Sequence, residues 1–120
     1  IDFSKNKYPN NKYIQCDILR ESNELENYDY IVMNGVFTEK IDLEFDRMFY
    51  FLKSILSKLW NNTNIGIAFN VMSELVDWKR DDLFHLSIDL LGDFLCNNIS
   101  RNFIIRNDYG LYEYTCYVYK

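Results

Sequence analysis

RNFIIRNDYGLYEYTCYVYK (residues 101–120) holds two segments rich in β-branched and aromatic residues, NFIIRND and LYEYTCYVY, on either side of Tyr109-Gly110. Alternating patterns of this kind on both arms of a short glycine-containing connection predict a β-hairpin. A hairpin's two strands run in opposite directions. If the sheet it joins is parallel, one of the pair must therefore run against all the other strands, so the elements upstream decide what this hairpin means.

Working back along the chain, LSIDLLGDFLC (86–96) is a short amphipathic helix with Ser87 as its N-cap. Before it stands MSELVDWKRDDLFH (72–85), charged, aromatic and too long for a simple turn, the kind of connection that carries function or forms a lid. IGIAFNV (65–71) is an apolar strand with Asn70 near its end. From Asp42 to Trp60, Phe45, Met48, Phe49, Leu52, Ile55, Leu56 and Leu59 recur at helical spacing. Asp42, Glu44 and Asp46 suit the start of that helix, and Lys53 and Lys58 suit its far end. YDYIVMNGVF (28–37) is a strand whose run of apolar residues predicts cover on both faces, and it ends on the polar pair Asn34-Gly35. YIQCDI (13–18) reads as a further short strand, and SKNKYPNNK (4–12) as a short helix or a loop. Strands alternating with helices predict an α/β fold with right-handed crossovers and a mostly parallel sheet that ends in an antiparallel hairpin.

Composition narrows the function. The 120 residues are enough for one domain, spanning 1–120, and 48% apolar and 18% aromatic content excludes disorder. A net charge of −5 without a basic patch argues against nucleic acid as a partner. No apolar run is long enough to span a membrane and no signal peptide is evident, so the expected location is the cytoplasm. Cys16, Cys96 and Cys116 lack the spacing of a zinc site or a disulfide framework and read as buried free thiols; no metal is expected. His85, the single histidine, is the natural general base of the chain.

In this order, the elements resemble class I S-adenosylmethionine-dependent methyltransferases, whose parallel sheet carries one antiparallel strand made by the last hairpin. Particular strings carry the resemblance further. IDFS resembles the end of the family's second strand, which implies that Asp2 binds the cofactor ribose. YIQCDI resembles the exit of the third strand, which implies that Asp17 meets the adenine amino group and that Ile18 packs on the base. YDYIVMNGVFTEK resembles the fourth strand, placing Asn34 and Gly35 beside the methionine part of S-adenosyl-L-methionine. With NGVFTEK, AFNVMSELVDW and DYGLYEYTCYVYK, the chain is similar to a group of small bacterial methyltransferases over nearly its whole length.

The resemblance implies methyl transfer to a small-molecule or sugar acceptor, with His85 as catalytic base and Asn70, Asp77 and Trp78 lining the acceptor pocket. One departure stands out. The family's glycine-rich loop after the first strand is missing, since Gly35, Gly66, Gly92 and Gly110 form no cluster. Together with the opening at IDFS, this implies a C-terminal portion of the fold, truncated before the second strand and incomplete as an enzyme. The alternative expectation is a non-catalytic Rossmann-like remnant that acts as a partner domain, or as a homodimer joined through open sheet edges.

Overall fold

From Tyr28 onward the described residues form β1 (Tyr28–Phe37), α1 (Phe45–Trp60), β2 (Thr63–Met72), α2 (Ile88–Asn98), β3 (Asn102–Arg106) and β4 (Glu113–Tyr119). The computed structural model describes residues 6–14, 17–19 and 25–120. The strands form one sheet in the order β1-β2-β4-β3. β1 and β2 are parallel, and β4 is antiparallel to both β2 and β3. Three strands therefore run one way and β4 alone runs the other, inserted by the hairpin between β2 and β3.

β1 does not have the cover on both faces that its composition predicts. Tyr30 is 60% exposed and Val32 73% exposed, while Met33 and Phe37 are buried. The cause is topological. The crossovers β1-α1-β2 and β2-α2-β3 both move the same way across the sheet, and two right-handed crossovers in one direction place both helices on one face. That face holds the core, where Phe37, Leu52, Leu56, Phe69, Leu91 and Tyr114 are fully enclosed. Phe37 meets Phe69 edge to face, with ring centroids 5.8 Å apart. Along β4 the same alternation buries Tyr114, Cys116 and Val118.

The main helix begins at Phe45, three residues after Asp42, because the chain first makes a turn in which the Leu43 N–H donates to the Lys40 carbonyl at 2.9 Å. Ile41 takes φ 52° in that turn, an unusual conformation for a β-branched residue. Asp46 alone remains as the acid of the first helical turn. The second helix starts as its sequence predicts, with the Ser87 hydroxyl accepting from the Leu90 N–H at 3.1 Å.

The predicted strand 13–18 is absent where the chain is described: Tyr13, Ile14, Asp17 and Ile18 lie outside every strand. Asp17 instead folds the backbone over itself, its Oδ1 accepting from the Leu19 N–H at 3.1 Å, an Asx-type turn. Gln15 and Cys16, and the whole of IDFS with Asp2, lie outside the described residues. Of the other thiols, Cys116 is buried and Cys96 half-buried. Among the described residues no helix is long and apolar enough to cross a membrane, and no group of three or more potential metal ligands is gathered.

Candidate functional site at the strand ends

β1 and β2 stay in step from Ile31↔Ile67 to Met33↔Phe69, and pairing then resumes at Phe37↔Val71. Between those points β1 spends Asn34, Gly35 and Val36 where β2 spends only Asn70. A strand with surplus residues must bulge out of its ladder, and bulges of this kind recur beside functional sites. Gly35 makes the bulge possible at φ 78°, in the left-handed region. A Cβ there would meet nothing within 4 Å, so among the protein's own atoms it is the left-handed backbone conformation that calls for glycine.

Asn70 fills the gap that the bulge leaves in the ladder. Its Oδ1 accepts from the Gly35 N–H at 2.8 Å, and its Nδ2 donates to Asn34 Oδ1 at 3.0 Å and to Glu113 Oε2 at 2.5 Å. One side-chain amide thus ties together β1, β2 and the first residue of β4, all at the end of the sheet where β1 and β2 terminate. In open α/β sheets that is the edge at which ligands bind.

Two loops stand over this cluster. The Ser73 N–H donates to the Tyr112 carbonyl at 3.0 Å, and the Tyr112 hydroxyl donates to Asp77 Oδ2 at 3.1 Å. The Asp77 carboxylate, chiefly through this hydrogen bond, raises the Tyr112 pKa. Trp78, next in the loop, is 73% exposed. Beside them a recess of about 290 Å³ opens between the exit of β2 and the start of α2, lined by Ser73, Glu74, Leu75, Ser87, Ile88 and Asp89. The loop's other flank is fastened to the segment after β1: Phe84 N–H donates to the Thr38 carbonyl at 2.8 Å, and Lys40 Nζ donates to the Asp81 carbonyl.

His85 has bonding different from that of a general base. The ring is 8% exposed. Its Nδ1 lies 2.8 Å from the Ser73 carbonyl, and its Nε2 accepts from the Arg80 N–H at 3.1 Å. A carbonyl can only accept, so Nδ1 carries the proton and the ring is the neutral tautomer. Both nitrogens are then occupied by backbone, leaving no lone pair for a substrate proton. His85 fastens the long loop. His85→Ala is expected to cost about 2 kcal/mol by leaving the buried Ser73 carbonyl and the Arg80 amide without partners, and to expose Lys79 and Arg80 to trypsin. Denaturant melts and limited proteolysis measure this, and an unchanged melt would refute the fastening role.

The other predicted residues are dispersed. Asn34, Gly35 and Asn70 meet in one cluster, Asp77 is joined to its margin through Tyr112, and Trp78 follows Asp77 in the loop, exposed. Asp17 and Ile18 form a separate turn, in which Ile18 is half-buried and packs at the margin of the core. Nothing in the sequence sets Glu113 apart from its hairpin neighbours Tyr109, Tyr112 and Tyr114. Only its pairing opposite Met72, two residues beyond the Asn70↔Thr115 pair and so on the same face, brings it to the cluster.

No protein-family model matches the chain. It is 29% identical over 94 residues to the "Putative methyltransferase Rv1506c" of Mycobacterium tuberculosis, an alignment that takes in 77% of this chain and 57% of that protein. Among solved structures it resembles the magnesium protoporphyrin IX methyltransferase of Synechocystis PCC 6803. The form with bound S-adenosylmethionine superposes with a TM-score of 0.61 at 8% identity, over 99% of this chain and 52% of that one. The form with bound S-adenosylhomocysteine gives 0.62 at 9% identity, over 99% and 56%. The chain thus spans little more than half the length of each. With three strands running one way, β4 inserted against them and a bulged strand end beside β2, the chain has the fold of class I S-adenosylmethionine-dependent methyltransferases.

Proposed function

We propose that this chain belongs to an S-adenosylmethionine-dependent methyltransferase acting on a small-molecule or sugar acceptor, and that it supplies the side of the site formed by β1, β2 and β4. The observation that carries this reading is the bulge at Asn34-Gly35 held by Asn70. A ladder is broken at the ligand-binding edge of the sheet, and a dedicated side chain keeps the broken end in one shape.

The residues present suit the cofactor. Asn34 and Gly35 are exposed at the end of β1, where backbone and amide groups can hold the amino-acid portion. Asp17 and Ile18 stand together in a turn, a carboxylate for an exocyclic amine beside an apolar side chain for a base. Asp2 would take the ribose hydroxyls. When bound, S-adenosylmethionine supplies an electrophilic methyl group, and the protein has to align the acceptor with it and exclude water. Asn70 fixes the wall between the two, and Asp77 and Trp78, with the recess beside them, would receive the acceptor.

Titration calorimetry of the full encoded protein with S-adenosylhomocysteine tests the reading. Saturable heat and a raised melting temperature are expected, together with at least tenfold weaker binding in Asn70→Leu, whose side chain can hold neither Gly35 nor Glu113. Absence of heat in the full protein would overturn it. A second reading, a non-catalytic partner domain, is favoured by one observation. Among the described residues, the face of the sheet opposite the two helices carries an apolar hollow of about 250 Å³ lined by residues that include Tyr30, Val32, Ala68, Tyr117 and Tyr119. That reading predicts no heat in the same titration, with self-association in sedimentation.

A further inference from the structure

We infer that Glu113 is the acceptor-side acid of the proposed transfer site, the group that takes the proton of an acceptor whose nucleophile is a hydroxyl or an amine. The inference rests on the methyltransferase reading and adds to it a residue and a class of nucleophile.

Three observations carry it. Glu113 is half-buried at the very start of β4, beneath the two loops joined through Tyr112. One of its oxygens is held: Oε2 accepts from Asn70 Nδ2. Among the described residues Oε1 has no protein partner and no cation faces the carboxylate, so the group is not one half of an ion pair. A partly enclosed carboxylate with one oxygen fixed and the other open is arranged to receive a hydrogen bond from something else.

Its place relative to Gly35 gives that partner a role. The same Asn70 amide that holds Glu113 on one side holds the Gly35 N–H on the other, at 2.8 Å. The backbone proposed to carry the cofactor and the carboxylate therefore lie one amide apart, on opposite sides of β2. A nucleophile bound between them meets the methyl group from the β1 side and Glu113 from the β4 side. Glu113 Oε1 receives the proton that the nucleophile sheds as its lone pair bonds to the methyl carbon and the carbon–sulfur electron pair stays with sulfur. The products are the methylated acceptor, the neutral thioether and a protonated Glu113, which returns its proton to water. An acceptor attacking through a sulfur already ionised has no use for such a group.

A pair of ligands reads the charge at that point without a known acceptor. Sinefungin carries an ammonium-bearing carbon where S-adenosylmethionine carries its sulfonium methyl, and S-adenosylhomocysteine carries an uncharged thioether there. In the full encoded protein, calorimetry is expected to show sinefungin bound roughly tenfold tighter than S-adenosylhomocysteine, the size of one charge-assisted hydrogen bond. Glu113→Gln, which keeps the shape and an oxygen for Asn70, is expected to abolish that preference and leave S-adenosylhomocysteine affinity within twofold. Asp93→Asn removes a carboxylate from the exposed face of α2 and is expected to leave the preference intact. An unchanged ratio in Glu113→Gln, or an equal loss in Asp93→Asn, overturns the assignment of Glu113 while the methyltransferase reading stands. If neither ligand binds the wild-type protein, the methyltransferase reading fails and the assignment fails with it.

Discussion

Gly66→Ala is expected to lower the melting temperature by about 10 °C, the equivalent of roughly 2–3 kcal/mol of overpacking in a domain of this size. A Cβ built on Gly66 would lie 2.7 Å from the Val118 carbonyl oxygen and 3.1 Å from the Tyr119 ring. The ring can swing away, but the carbonyl belongs to the neighbouring strand, so β2 and β4 would have to move apart. Gly66 pairs with Tyr119 four residues before the Asn70↔Thr115 pair, and a displaced ladder carries the Asn70–Glu113 contact with it. Weaker binding of S-adenosylhomocysteine is therefore expected to accompany the lost stability. Gly92→Ala is the contrast. Its Cβ would meet only the Phe103 ring edge at 3.7 Å inside α2, where alanine is the better helix former, so a slight gain is expected. Thermal melts of the two variants decide the matter, and a Gly66→Ala protein as stable as wild type would show that the strands are not in the close contact described.

Alkaline pH is expected to produce the second large effect. Burial pushes the Cys116 thiol from its ordinary 9.0 up to about 12, and burial likewise raises the Tyr114 phenol, whose hydroxyl donates to the Leu86 carbonyl at 2.9 Å. Above pH 9 an unfolded Cys116 has released its proton while the folded one retains it. The unfolded state then binds fewer protons, and stability must fall as pH rises, by about 1.4 kcal/mol per unit and some 4 kcal/mol in all from this thiol. The contribution is intact below pH 9 and gone by about 12. Urea midpoints measured from pH 8 to 11 should slope downward in the wild type. They should slope less in Cys116→Ala, where the raised phenols, Tyr114 foremost, remain to titrate. A parallel slope in that variant would show that the thiol is not shielded from water.

Much of this fold was legible in the sequence because it is written in local periodicity. The three- and four-residue spacing from Phe45 to Leu59 admits only a helix, and the alternation through Tyr114, Cys116 and Val118 admits only a strand with one buried face. What local patterns could not show was which face of β1 would be covered, since Tyr30 and Val32 are as apolar as Ile31 and Met33 and only the sense of the crossovers separates them. The run 13–18 misled for a related reason. Its composition suits a strand, but Asp17 satisfies the backbone within its own turn. The site was legible in part. Asn34, Gly35 and Asn70 were marked by polarity at the ends of apolar strands, whereas Glu113 looked like any outward residue of a hairpin until pairing set it beside Asn70. His85 attracted attention as the single histidine, and only its neighbours show that backbone groups occupy both nitrogens.

The insertion of β4 between β2 and β3 also constrains how the molecule comes together in time. β3 and β4 are joined by a short connection and can zip up on their own within microseconds. β4 must then find β2 across the forty residues between Met72 and Glu113, with Gly66 to Met72 meeting Tyr119 to Glu113 in register. Closing so long a loop is paid in chain entropy before any contact rewards it. Docking of the preformed hairpin onto β2 is therefore the step expected to limit the folding rate, which stopped-flow refolding of a Gly110→Val variant would test, since a slowed hairpin should leave that rate little changed. Since Asn70 and Glu113 lie on opposite sides of that final seam, the proposed site comes into existence only when folding ends.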